Sequence, residues 1–158
     1  MDFATADLIL AGAHHLLIFA LAGVLAFEIG VIRPGMTTTD IRRVARVDLW
    51  YGVLAGLILI VGFARAIYAA KGWAYYSANV FFWAKLGTFA LVGLLSIVPT
   101  VAIIRWRRAA GKDEGFTPDV TAARRFLWAE AFLFALIPLF AAAMARGWNF
   151  AAVPVSSP

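Results

Sequence analysis

The sequence contains no cysteine and few groups that carry chemistry. Its 158 residues include two histidines and nine Asp and Glu residues, against fourteen Lys and Arg residues. Without cysteine, the chain cannot form disulfide bonds, thiolate-bound metal sites or iron–sulfur clusters, so any redox chemistry requires an external cofactor. Only 15% of the residues are charged and 63% are hydrophobic, which excludes a water-soluble surface. The composition therefore predicts an integral membrane protein.

Four apolar stretches are each long enough to cross a hydrocarbon core of about 30 Å at a rise of about 1.5 Å per residue. They leave no length of chain for a soluble domain. We predict a single all-α domain over residues 1–158, an integral membrane four-helix bundle in which spans one and two, and spans three and four, form antiparallel hairpins. The predicted spans are residues 8–32, 47–70, 80–106 and 126–146.

Lys and Arg residues are concentrated in two connections, residues 33–46 and 107–125, whereas only Lys71 and Arg146 lie near the span ends on the other side. Because short basic loops stay in the cytoplasm, we expect a multi-pass protein of a bacterial inner membrane with both termini on the periplasmic side. The net charge of +5 is then explained by anionic lipid headgroups beside these loops, and no nucleic-acid partner is needed.

Polar side chains recur at helical spacing within the first span. Asp7, His14 and Glu28 share one face, because residues seven or fourteen apart lie within about 20 to 40 degrees of each other on a helix. Polar groups prefer the bundle interior to lipid. Adjacent residues point about 100 degrees apart, so His14 and His15 cannot bind a haem from both sides. The polar stripe favours His14 as the inward-facing histidine.

Two cations, Arg65 and Lys85, lie inside apolar runs at the same depth as the histidines, while the buried acids Glu28 and Glu130 lie toward the other face. Uncompensated charge in hydrocarbon is costly, so we expect an anionic guest carrying carboxylates. The alternative is structural: both cations would extend to lipid phosphates, and the imidazoles would bond to main-chain oxygens.

Haem b suits this set of residues, because bundle cofactor sites are built from side chains of several facing helices. His14 or His15 would supply an axial ligand, and Lys85 or Met144 the second. Arg65 with Lys71 would neutralise the propionates. The full predicted site contains His14, His15, Arg65, Tyr68, Lys85 and Met144.

One set of residues is spread over nearly the whole chain: Arg46-Val47-Asp48, Tyr51-Gly52, Gly62, Arg65, Lys71-Gly72, Tyr75-Tyr76, Asn79, Phe82-Trp83, Lys85, Leu94-Leu95-Ser96 and Pro99-Thr100. This set resembles a bacterial family of predicted membrane proteins catalogued as a domain of unknown function. The resemblance implies a helical membrane protein and carries no activity with it.

A second motif is Trp83-Ala84-Lys85-Leu86, together with a histidine in the first span. It is similar to the HemJ class of protoporphyrinogen oxidase, a small helical membrane protein that binds haem b. The resemblance implies that His14 or His15 and Lys85 form the functional pair, with Lys85 as the catalytic residue. It also implies a haem-dependent oxidoreductase acting on a porphyrin or quinone-like substrate.

Two other function classes fit the same sequence. A non-enzymatic accessory subunit would pack into a homo-oligomer or a larger membrane complex through its Trp- and Phe-rich exterior, with Arg65 and Lys85 facing lipid phosphates or a partner's acids. A proton or solute carrier would use Glu28, Asp48 and Glu130, which cluster near the predicted cytoplasmic end. No continuous chain of acids or histidines extends from them to the other side.

Overall fold

Four long helices and one short helix make up most of the part of the chain that the structure describes. The computed structural model describes residues 3–68, 72–113 and 115–148. Within these residues there is no strand, and the four long helices are each long and apolar enough to cross a membrane. The prediction of an all-α, four-helix membrane protein is confirmed. The helices are α1 (Phe3–Val31), α2 (Thr38–Tyr68), α3 (Gly72–Ser77), α4 (Val80–Ala110) and α5 (Thr121–Ala145).

The long helices extend beyond the predicted spans. Helix α2 begins at Thr38, α4 continues to Ala110 and α5 begins at Thr121, so most of segment 33–46 and both ends of segment 107–125 are helical. Hydropathy marks only the part of a helix that lies in hydrocarbon, whereas Arg and Lys are good helix formers and continue the helices past it. The true connections at this end of the bundle are residues 32–37 and 111–120.

Local hydrogen bonds set where two of the helices start. Thr37 caps α2: its hydroxyl and its backbone N–H both donate to Asp40 Oδ2 at 2.9 Å, and Asp40 N–H donates to Thr37 Oγ1 at 3.2 Å. This is a reciprocal capping arrangement. Ahead of α5, Asp119 Oδ1 accepts from the backbone N–H of Thr121 at 2.9 Å. The hydrogen bonds from Thr121 hold the pKa of Asp119 below its usual range.

The four long helices form a ring in the order α1, α2, α4, α5. Helix α1 packs along α2 and α5, and α4 packs along the same two helices, so α1 and α4, like α2 and α5, face each other across the diagonals. Leu21, Ile58, Val92, Ile103 and Leu127 fill the interior. Large apolar side chains point outward instead of into a second core, as expected of a protein surrounded by lipid; examples are Leu16, Phe19, Ile60 and Phe132.

Contacts at the helix ends confirm that α4 and α5 form an antiparallel hairpin. Tyr75 of α3 donates to the backbone oxygen of Met144 at 3.2 Å, and Asn79, just before α4, donates to the backbone oxygen of Trp148 at 3.3 Å. The start of α4 therefore lies beside the end of α5. We call this the aromatic end, because Trp73, Tyr75, Tyr76, Trp83 and Trp148 surround it, and the opposite end the basic end.

At the basic end, Arg124 of α5 holds the end of α1. Its Nη1 donates to the backbone oxygens of Ile29 and Ile32. The last four carbonyls of a helix have no partner within the helix, and a cation at this end also interacts favourably with the helix dipole. One side chain thus joins the first and last long helices of the ring.

We expect Arg124→Met to lower the free energy of unfolding by about 1–3 kcal/mol, because hydrogen bonds from a charged donor to buried acceptors are lost. Reversible unfolding in mixed detergent micelles measures this. The adjacent Arg125 is exposed, so Arg125→Met is the matched control and should change stability by less than about 0.5 kcal/mol. Equal losses in the two variants would contradict the assigned role of Arg124.

Candidate functional site

Polar side chains inside the bundle form two clusters at different depths. The histidine cluster, near the aromatic end, contains Asp7, His14, Arg65 and Lys85. The acid cluster, nearer the basic end, contains Glu28, Asp48, Tyr51, Thr100 and Glu130. His14 and Glu28 lie fourteen residues apart on α1, which corresponds to about 21 Å along the helix axis. Buried Leu21 and Leu25 lie between them on α1.

His14 is the histidine that faces the neighbouring helix. A Cβ placed on Gly62 of α2 would lie only 3.1 Å from His14 Cε1 and 3.6 Å from its Nδ1. The missing side chain at Gly62 therefore provides the space that the imidazole occupies. His14 Nδ1 is buried and has no hydrogen-bond partner, which is uncommon for a buried polar atom.

His15 points in a different direction. Its ring is exposed, and its Nδ1 donates to the backbone oxygen of Ala11, one turn earlier on α1, at 2.7 Å. The two imidazole rings lie edge to face, with centroids 6.3 Å apart. The structural alternative predicted that both imidazoles bond to main-chain oxygens. His15 makes such a bond, and His14 makes none to a described residue.

Arg65 has an acidic neighbour at its own depth. Its Nε lies 3.8 Å from Asp7 Oδ1, with the two side chains 31% and 34% exposed. The expectation that no acid accompanies these cations was wrong, because α1 is helical from Phe3 and its first turns lie beside the end of α2. The pair is loose: both atoms are buried and neither makes a hydrogen bond.

Lys85 approaches the same region from α4. Its ammonium group lies 5.5 Å from the centroid of the Phe82 ring, a distance at which cation–π attraction operates. The charges of Lys85 and Arg65 both act on His14. Within residues 3–68, 72–113 and 115–148, Lys85 forms no ion pair. The histidine cluster thus contains two cations and one acid.

The remaining predicted site residues make no hydrogen bond or ion pair with this cluster among the described residues. The side chain of Tyr68 is 65% exposed. Met144 lies at the end of α5, where its backbone oxygen accepts the hydrogen bond from Tyr75. Lys71, expected beside Arg65, lies outside the described residues.

The acid cluster joins side chains from all four long helices. Tyr51 of α2 donates to Glu130 Oε2 of α5 at 3.1 Å, across a diagonal of the ring. Thr100 of α4 donates to Asp48 Oδ1 of α2 at 2.7 Å. Glu28 of α1 interacts electrostatically with both Asp48 and Glu130. Glu28 and Glu130 are 2% and 1% exposed.

Two of the buried carboxylate oxygens have no partner. Glu28 Oε1 and Glu130 Oε1 are both enclosed without a hydrogen bond. Nowhere in the described part of the chain do three or more His, Asp or Glu side chains converge as metal ligands would. The acid cluster therefore does not have the arrangement of a metal site.

A cavity of about 390 Å³ between α2 and α4 leads toward the acid cluster from the basic end. Asp48 forms part of its wall, together with Ala45, Ile103, Ile104, Arg107 and Arg108. Both arginines are exposed and Asp48 is half-buried, so the cavity connects this carboxylate with the surface at the basic end. A smaller apolar cavity of about 200 Å³ lies between α1 and α5.

Two functional contacts were missed by reasoning from the sequence. Asp7 lies seven residues before His14 on the same stripe, and this spacing was the available signal for an acid near the histidine cluster. Gly62 carried no comparable signal, because a glycine in a membrane helix is common and its contact with His14 depends on how α1 and α2 pack.

Comparison with known proteins identifies one family. The family model described as "Predicted membrane protein (DUF2214)" matches residues 6–149. No curated protein and no solved structure matches the chain, so the resemblance to the HemJ class is not supported by these comparisons.

Proposed function

The chain belongs to this family of predicted membrane proteins, whose function is unknown, and we propose that its histidine cluster binds an acidic cofactor, haem b. The observation that carries the proposal is the half-buried imidazole of His14, whose Nδ1 atom is enclosed without a partner. This Nδ1 atom makes no hydrogen bond within the described residues. An imidazole is a common axial ligand of haem iron, and binding would give this side chain the partner it lacks.

The charges beside His14 support an acidic guest. Arg65 lies 3.8 Å from Asp7 without forming a hydrogen bond, so its guanidinium donors are free to bind a carboxylate in the bidentate manner typical of arginine. Lys85 adds a second positive charge, and no acid within the described residues forms an ion pair with it. One propionate on each cation would satisfy the hydrogen-bonding and charge requirements of both side chains.

The residues of the histidine cluster include one that can bind the haem iron and two that can bind its propionates. His14 would hold the iron, while Arg65 and Lys85 would hold the propionates. Met144 would then be the candidate for a second iron ligand, because Lys85 holds a propionate. When bound, haem supplies one-electron transfer. Asp7 would keep the Arg65 guanidinium oriented toward the cluster.

The reaction that follows from this proposal is an oxidoreductase reaction on a porphyrin or quinone-like substrate, with Lys85 as the proton donor. The proposed location is a bacterial inner membrane with the basic end in the cytoplasm. Its support is the concentration of arginines at the basic end, including Arg42, Arg43, Arg107 and Arg108. The histidine cluster would then lie near the periplasmic surface.

The visible absorption spectrum tests the proposal. We expect the protein purified in mild detergent, with haem supplied, to show a Soret band at a stoichiometry of one haem per chain. We also expect a reduced-minus-oxidised difference spectrum of a b-type haem. A clean, folded preparation that stays colourless after haem is added would refute it. A colourless protein that copurifies with a stoichiometric partner would favour an accessory subunit instead.

A further inference from the structure

The acid cluster is not used by the proposed cofactor site, and Glu28 is its least satisfied member. The side chain is 2% exposed and makes no hydrogen bond to any described residue. By contrast, the carboxylates of Asp48 and Glu130 each accept one side-chain hydrogen bond, from Thr100 and Tyr51 respectively. Glu28 is thus a buried acid to which no described side chain donates a hydrogen bond.

No cation among the described residues forms an ion pair with this acid. Helix α2 contributes Asp48 and Tyr51, and α5 contributes Glu130. Arg124 of α5 approaches α1 near Glu28, but its guanidinium group donates to the backbone oxygens of Ile29 and Ile32. The groups that face Glu28 are therefore two acids and a phenol.

Three carboxylates in one low-dielectric space cannot all be ionised without a compensating positive charge. A metal ion would require the acids to converge on one point, and within the described residues no such group exists. A proton is the ligand that needs only one carboxylate. Of the three carboxylates, Glu28 is the one that accepts no side-chain hydrogen bond. A proton on Glu28 would remove its negative charge and give it an O–H group that can donate a hydrogen bond.

We propose that the acid cluster is a proton-binding site, in which Glu28 carries the proton and Asp48 exchanges it with the basic end of the bundle. The cavity of about 390 Å³ connects Asp48 with exposed Arg107 and Arg108, and its volume is sufficient for several water molecules. The proposal does not depend on haem binding, because none of its residues belongs to the histidine cluster.

Infrared spectroscopy of the haem-free protein in lipid bilayers tests this directly. We expect the C=O stretching band of a protonated carboxyl group at neutral pH, shifted in D₂O and lost in Glu28→Gln. Asp113→Asn is the matched control, because Asp113 is an exposed acid at the basic end and its removal should leave the band unchanged. Glu28→Asp, which retains a carboxyl group, should keep a shifted band if Glu28→Gln does not fold.

The exchange route is tested by the same band. After transfer to D₂O, we expect its shift to develop several-fold more slowly in Asp48→Asn than in the unmodified protein. The absence of a protonated carboxyl band at neutral pH, or its survival in folded Glu28→Gln, would overturn the proton site. Loss of the band on addition of sodium ions would assign the cluster to a cation instead. An unchanged exchange rate in Asp48→Asn would overturn the role of Asp48.

Discussion

His14→Ala should lose essentially all of the Soret band of the haem-loaded protein, whereas His15→Ala should retain it. The two residues are adjacent and chemically identical, so they form a matched pair. His14 fits against Gly62, and its Nδ1 has no hydrogen-bond partner among the described residues, while His15 is exposed and donates to the backbone oxygen of Ala11. The bond to Ala11 leaves the Nε2 atom of His15 with a free lone pair, so the two histidines differ in direction: His14 faces α2 inside the bundle, and His15 points outward.

Absorption titration with haem, at equal protein concentration and after removal of unbound haem, measures this difference. A circular dichroism spectrum establishes that each variant is folded. The assignment of His14 would be contradicted if His15→Ala lost the band and His14→Ala kept it. If both single variants and the double variant retained the band, haem would be bound without either histidine and the proposed site would be wrong.

Glu130→Ala should lower the free energy of unfolding by about 3 kcal/mol, combining a buried cavity with the loss of the acceptor for the Tyr51 hydroxyl. The effect is large because Glu130 is 1% exposed and its hydrogen bond crosses the diagonal of the ring. Helices α2 and α5 are not neighbours in the ring, so this bond connects two helices that otherwise have little contact.

Unfolding in mixed micelles, arranged as a double-mutant cycle with Tyr51→Phe, isolates the bond. We expect Tyr51→Phe to cost about 1–2 kcal/mol and to add little once Glu130 is already Ala, because the two residues then share one interaction. Glu130→Gln keeps an acceptor for Tyr51 and should cost clearly less than Glu130→Ala. Fully additive costs would show that the hydrogen bond does not contribute to stability.

Much of the histidine cluster could be predicted before its helices were placed. The depth of His14, Arg65 and Lys85 followed from counting residues along each span, since a helix rises by a constant amount per residue. The structure brings these three side chains to one region. Tyr68, chosen by the same counting, is exposed, because it lies about 60 degrees around the helix from Arg65 and is the last residue of α2.

The sequence by itself determined the membrane class, the four spans and the depth of each polar side chain. Hydropathy and helical pitch are properties of one segment, so they need no knowledge of the rest of the fold. Only the tertiary structure decided that Asp7 lies beside Arg65, that Gly62 receives His14, and that Tyr51 donates to Glu130. Each of these contacts joins two helices. It depends on the order of the helices in the ring, on their rotation and on their relative height, and the sequence of one helix alone does not specify these.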